Sequence, residues 1–534
     1  MGAIQTLTRR QAANYYYTAE LPRYQVEATY SAPTGQLHQP ANSSELTTLL
    51  GGGVLNSKTL AAGDTIELAA GTTYTGPFTI PKLAGSSWVY VRSSALASLP
   101  SPGRRVAAAD ATNMPTILAP ADQNVGIGAA AGAHHFRFVG IQFKSSAAAM
   151  SFVIAQLAPS LSGTADIPHH ITFDRCYFVG DATFGGREGV SFNVDWGAIV
   201  ESRFEGFFND GYDSQGVFIY NCNGPILIRN NYISGASESM MVGGSDPSLN
   251  GMVPSDITIV GNHFSKPLSW IGVHPVKNNL ELKLGRRVLV EKNVFENCWQ
   301  SGQSGFSFLC TVRNQSNTAP WSDVSDVVFR LNKIKNSTSG ISILTVDEIG
   351  SGGGPSVVSR NLVFAQNLIE IVDVIGGGDA RAMLISISSA DHYGYVLAKN
   401  TLVSHTAAYG TGFYMTPGGR KMMSPMVKDN IFAMVNYGVL GDGVGVANTA
   451  LNAYTVTPDV TYNCFTDASA GTYPATNLQL ANVAAVLFTD WTNRDYTLQS
   501  GSPCKGAASD GGDMGCNVAL VEVYASQAVA GTAS

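Results

Sequence analysis

The sequence predicts an all-β fold: a single-stranded, right-handed parallel β-helix, a solenoid of about ten or more coils with capped ends. Three observations predict it. A strand-like cassette carrying an Asn recurs at a coil-sized period. A second set of strand-like segments falls between the cassettes, and Gly, Asn, Asp and Ser punctuate gaps in which no long amphipathic helix is found.

The cassette reads as an alternating strand, an Asn, then two residues ending in an apolar one. Its copies are ILIRNNYI (226–233), ITIVGNHF (257–264), VLVEKNVF (288–295), VVFRLNKI (327–334) and LVFAQNLI (362–369), with looser copies VLAKNTLV (396–403), MVKDNIF (426–432) and VTYNCF (460–465). ITFDRCYF (171–178) and AIVESRF (198–204) are earlier relatives, with Cys176 and Ser202 near the Asn place. The aligned residues Asn231, Asn262, Asn293, Asn332, Asn367, Asn400, Asn430 and Asn463 are spaced by 31, 31, 39, 35, 33, 30 and 33. That period alone also fits helical repeats. The period-two alternation of β-branched and aromatic residues decides for strands. Asn tolerates a left-handed turn, and its amide can bond the backbone of the coils above and below, so a stacked ladder is expected.

The second set reads GVSFNV (189–194), GVFIYN (216–221), ESMMVG (238–243), NLELKL (279–284), GFSFLCTVRN (305–314), GISILTV (340–346), AMLISIS (382–388) and GTGFYM (410–415). Each coil therefore has at least two strands, and ten coils stacked about 4.8 Å apart give a rod roughly 45–50 Å long. An open solenoid end exposes core, so Ser43–Leu50 is expected to be a capping helix. The expected division is a polar, Tyr-rich arm over 1–42, laid on the outside or used for attachment, the β-helix over 43–516, and a C-terminal strand (VALVEVYA, 518–525) with a tail over 517–534.

A length of 534 residues would suggest several ordinary domains, but a solenoid is one domain of any length. Hydrophobic residues make up 45% and charged ones 13%, so a large core is expected and disorder is not. Net charge is −7 without a basic cluster, which argues against a nucleic-acid partner. No apolar run is long enough for a membrane span. The first residues lack an apolar stretch after Arg9 and Arg10 and do not read as a secretory signal. The expected location is extracellular, reached after removal of a signal or as part of a virion surface. Of the seven Cys, only Cys504 and Cys516 lie close together in a Gly-rich stretch, where a disulfide and two free thiols are both open. His134-His135 and His169-His170 have no metal-motif spacing and read as structural. GSGGGP (350–355) and GGGDAR (376–381) read as loops, not phosphate cradles.

GDTIELAAGTTYTGPF (63–78) and the Asn cassettes resemble the pectate-lyase-like superfamily of right-handed parallel β-helices, over roughly residues 45–515. That superfamily holds polysaccharide lyases, glycoside hydrolases, epimerases and phage tail-spike depolymerases. NNLELKLGRRVLVEKNVF with CTVRNQ is similar to the chondroitinase B and alginate lyase group. The resemblance implies Lys283 as base, Arg313 as the group that donates or stabilises the proton, and calcium neutralising a uronate. Glu281 stands alone before the Lys, where that group has an acidic pair.

The residues themselves support the same stretch. In NLELKL, Leu280 and Leu282 point inward, so Glu281 and Lys283 share the outer face; Thr311 and Arg313 do so on the next segment. Lys283 and Arg313 are 30 residues apart, about one coil. Arg286 and Arg287 are candidates for binding a carboxylate bidentately, and Glu238 faces out near them. Trp270 and Trp299, like Trp196 and Trp321, fall in turns, where they either stack on sugar or pack loops on the rod. Asp213 and Asp246 are the candidate calcium ligands. Glu188, Asp195, Asp210 and Asp213 offer the carboxylates of a glycoside hydrolase.

The expected function is binding and cleavage of an acidic polysaccharide by β-elimination. The first alternative is a phage tail spike that recognises a host surface glycan, for which a homotrimer is expected. The second is a structural or adhesive solenoid without chemistry.

Overall fold

The computed structural model describes residues 19–121, 125–146, 153–348, 355–372, 375, 380–406, 410–467 and 472–533. The first 18 residues of the predicted arm and most of the 350–355 and 376–381 loops lie outside them.

Each coil contributes three strands, and coils stack into three long parallel sheets of sixteen, fourteen and thirteen strands. We call these sheets 1, 2 and 3. One coil shows the path: Ile226–Arg229 in sheet 1, a corner at Asn231, Tyr232–Gly235 in sheet 2, Glu238–Val242 in sheet 3, then a loop into Ser255–Val260 of the next coil. The chain is a parallel β-helix, as its sequence predicts. The apparent single cassette is two strands folded about the Asn.

The corner works through its side chains. Each Asn is buried, and its Oδ1 accepts the backbone N–H of the preceding Asn: Asn231 to Asn262 at 2.9 Å, Asn262 to Asn293 at 2.8 Å, Asn293 to Asn332 at 2.9 Å. The ladder continues through Asn367, Asn400, Asn430 and Asn463 and extends to Asn477, which sequence spacing had not placed. Ser202 and Cys176 carry it upward, as their alignment suggests. The left-handed turn, however, is not made by the ladder residue. It falls one position earlier, at Arg175, Glu201, Asn230, Lys292, Leu331, Gln366, Lys399, Asp429 and Tyr462, with φ between +51° and +60°. The bend there turns the next side chain inward, where only an amide can serve both neighbouring coils.

A single apolar cluster fills the tube from Leu46 to Tyr473, with ring stacks such as Phe143–Phe178–Phe204 at 4.7 and 4.3 Å. Ser43–Leu50 is the expected capping helix. Asn42 accepts the Glu45 N–H at 3.0 Å, and Leu46, Leu49 and Leu50 plug the open coil. Helix Ala447–Tyr454 buries Ala447, Ala450, Leu451 and Tyr454 in the same core towards the other end.

Both ends of the described chain lie on the outside. Residues 19–38 run along sheet 1 against the direction of coil growth. The Glu20 N–H meets Asp326, the Arg23 N–H meets Asp256, Arg137 donates to the carbonyls of Ala28 and Thr29, and Leu37–His38 pairs with Thr65–Leu68. Residues 478–533 fold back over sheet 2 and bury Leu368, Val403, Ile431 and Cys464. The strand expected at 518–525 is a helix, Val518–Ala530. Its valines suggested a strand, but Val518, Val521, Ala525 and Ala528 recur at helical spacing and pack on the sheet, and Asn517 caps the first turn. All seven Cys are free, Cys504 and Cys516 included. Among the described residues, neither end covers sheet 3.

Candidate functional site

The outer face of sheet 3 carries a row of ionisable groups, and strand geometry explains how they get there. Met240, Val242, Leu280, Leu282, Phe308 and Cys310 belong to the central core, while the alternating Met241, Glu281 and Leu309 face outward in register. At the strand starts a bend adds one inward residue. A Cβ on Gly216 would meet Ile233 at 2.8 Å and one on Gly189 would meet Phe207 at 2.9 Å, so both glycines face the core. The residues just before them, Glu188 and Gln215, with Glu238 in register, are thereby turned out.

Glu238 is fully buried. Gln215 Nε2 donates to it at 2.6 Å, and Lys277 Nζ stands 3.9 Å from its other oxygen. Burial first, then the charges of Glu281 and Asp213, pushes its carboxyl up to about 7. Glu188, two rungs away, is also pushed up to about 7 by burial. Lys277 reaches across from two coils further on to pair with Asp213, and its ammonium is held above its usual range by that hydrogen bond and by Glu238, against its own burial.

Glu281 accepts from Thr311 Oγ1 at 2.9 Å, and its other oxygen lies 3.8 Å from Lys283 Nζ. The Arg313 N–H donates to the Lys283 carbonyl at 3.1 Å, so the two cations sit on adjoining coils as the 30-residue spacing predicts. Asp347, from the coil after that, holds Arg313 at 2.9 Å and takes the Asn314 N–H at 3.0 Å. Lys283 and Arg313 keep 15% and 30% of their side chains exposed, in contrast to the carboxylates behind them.

The other predicted residues lie elsewhere. Arg286 pairs with Asp323 at 2.7 Å, and Arg287 grips Asp256 at 2.7 and 3.0 Å; both are past the next corner, in sheet 1. Trp270 and Trp299 are buried with Phe208, Ala236 and Val276 in a small cluster of the loops between sheets 2 and 3, so their rings pack loops. Asp195 accepts the N–H groups of Asn223 and Gly224 and shapes a turn, while Asp210 meets His274 at 3.0 Å. Thr311 faces out beside Glu281 as its parity predicts, and Lys277, Gln215 and Asp347 are the members that sequence reading missed. Lys277 stands just ahead of NLELKL, and Asp347 lies one coil period beyond Arg313.

The two predicted ligands, Asp213 and Asp246, do not come together as a calcium site. Asp213 already carries the Lys277 ammonium, and Asp246 takes the N–H groups of Ser316 and Thr318 and the Thr318 hydroxyl, which ties two loops together. Among the described residues, the one group of three ligand-bearing side chains is His135, His169 and His170. Burial and the surrounding imidazoles push His135 and His169 down to about 4.

No protein-family model and no curated protein matches the sequence. Among solved structures, the chain is similar to the PL6 family alginate lyase AlyGC, at 12% identity over 90% of this chain and 58% of that one, with a TM-score of 0.45. It is also similar to a mannuronic acid specific polysaccharide family 6 lyase from human gut microbiota (13%, 84% and 83%, TM-score 0.39) and to the Dettilon tailspike protein gp208 (12%, 78% and 62%, TM-score 0.34). The likeness is one of fold. This chain spans 58% of the length of AlyGC.

Proposed function

We propose that this protein binds an acidic polysaccharide along the outer face of sheet 3 and cleaves it by β-elimination. The observation that carries the reading is the pairing of Lys283 and Arg313 on adjoining coils, both part-exposed, at the edge of a buried carboxylate row. Among the described residues, sheet 3 is also the sheet that neither end covers.

β-Elimination needs a cation to neutralise the uronate carboxylate, a base for the C5 proton, and a proton for the leaving oxygen. Arg313, oriented by Asp347, serves the carboxylate with a planar, always-charged fork. Lys283, as the free amine, takes the C5 proton; the C–H electron pair becomes the C4–C5 double bond as the C4–O bond breaks. The departing oxygen is then protonated, by the lysine's newly gained proton or by water. Glu281 fixes the position of the Lys283 ammonium between turnovers.

The test is incubation with alginate and other uronate polymers while following the absorbance of the unsaturated product. Product is expected from the parent chain and lost in Lys283→Ala and Arg313→Ala proteins that remain folded. Unchanged product formation in both variants would overturn the site, and new reducing ends without unsaturation would favour hydrolysis instead.

A further inference from the structure

A second cluster lies away from that row, at the corner leading into sheet 1 of two early coils. The sequence repeats a His pair one coil apart, His134-His135 and His169-His170, and the structure puts His134 and His169 in register on neighbouring strands. His135 and His170 both hold left-handed backbone, with φ of +57° and +54°, as Asp256, Arg287, Asp326 and Asn361 do at the start of sheet 1 in later coils. The four rings form a box. His134 stacks on His169 at 4.8 Å and His135 on His170 at 4.4 Å, while within each pair the Nδ1 atoms approach to 2.9 and 2.8 Å.

We infer that His135, His169 and His170 form a binding site for a first-row divalent metal ion of the zinc, copper or nickel class. One ring nitrogen from each lies within 4.8 Å of the others, and all three residues are part-exposed, so an ion can enter. A tetrahedral set at Zn–N of about 2.0–2.1 Å needs nitrogens about 3.3 Å apart, a closure that small ring rotations supply. Each Nδ1–Nδ1 contact places two nitrogen lone-pair positions around one proton, and an ion can replace that proton. Ring faces are taken up by stacking, with Trp196 continuing the column beyond His170 at 5.7 Å and Trp88 edge-on to His135 at 5.4 Å. What remains for a ligand is imidazole edges, which suit a borderline metal rather than a sugar face. Such an ion clamps two neighbouring coils at this corner, adding to the backbone bond from the His169 N–H to the Ala133 carbonyl at 3.0 Å.

Titration of the untagged, full-length chain with zinc chloride by calorimetry tests the site. One ion per chain is expected. His135→Asn with His170→Asn keeps residues that tolerate left-handed backbone and should weaken binding about 100-fold. His169→Gln, whose backbone is ordinary, should weaken it similarly, while His274→Ala leaves it unchanged. With Cu²⁺, electron paramagnetic resonance should resolve coupling to at least three nitrogens. No saturable binding, affinity unchanged in these variants while they remain folded, or coupling to fewer than three nitrogens would each overturn the inference. None of these outcomes depends on lyase activity.

Discussion

Gln215 donates its side-chain amide to the carboxylate of Glu238 at 2.6 Å, one coil away on the same sheet. That contact and the 3.9 Å approach of Lys277 are the polar support of a fully buried carboxyl. Its value rises from 4.5 to about 7, so the folded chain binds a proton more tightly than the unfolded chain does. Stability from this group is therefore full below about pH 4.5 and lost as the pH climbs through 7. Glu238→Gln removes the titration. Denaturant unfolding at pH 5 and pH 8 should show the variant gaining on the parent with rising pH, by up to about 3 kcal/mol. A pH-independent difference would mean that the carboxyl titrates normally.

Charge alone at position 283 should not sustain turnover. Lys283→Arg preserves the ion pair with Glu281 but cannot release a proton near neutral pH. Turnover should fall about 100-fold or more in both Lys283→Arg and Lys283→Ala, with the thermal midpoint little changed in the former. An active Arg variant would reassign the base.

The Asn ladder should be costly to break at its middle. Asn293 Oδ1 accepts from the backbone N–H and side chain of Asn262, and Nδ2 donates to Ile259 O and Asn332 Oδ1. Asn293→Ala leaves several of these groups buried without partners, a loss of about 3 kcal/mol. Limited proteolysis should then cut near coils 262–332 before it cuts either end.

Removal of the C-terminal helix tests its packing role. Deleting residues 517–534 uncovers Val294 and the surface that Val521, Ala525 and Ala528 bury. The truncated chain should keep its β-type circular dichroism but bind hydrophobic dye and self-associate. An equally soluble, dye-silent product would show the helix to be dispensable.

The coils were legible because their amide corner is a strict demand of the fold: one residue type, inward and buried, once per turn. Sheet 2 was not, because strands as short as His263–Ser265 carry too few residues to show an alternation of their own. Lys283 and Arg313 could be paired from spacing alone, since the coil period converts sequence distance into adjacency. Lys277 could not. It lies in a loop, and its partner Asp213 is two coils back. Trp270 and Trp299 misled for a similar reason: whether a loop aromatic faces solvent depends on which neighbouring loop folds over it. The His pairs carried a usable signal, a doublet repeated 35 residues apart, that motif spacing within one segment does not capture.

The arm along sheet 1 has a consequence for biosynthesis. Glu20 leaves the ribosome 306 residues before its partner Asp326. At translation rates of 5–20 residues per second, that is a wait of roughly 15–60 s, during which the growing rod has no strap over the later part of that face. Docking can then proceed only as fast as coils are added, from the Leu37–His38 end outward. Residues 20–38 are thus made before the coils they cover and dock after them, over coils whose alignment is already set.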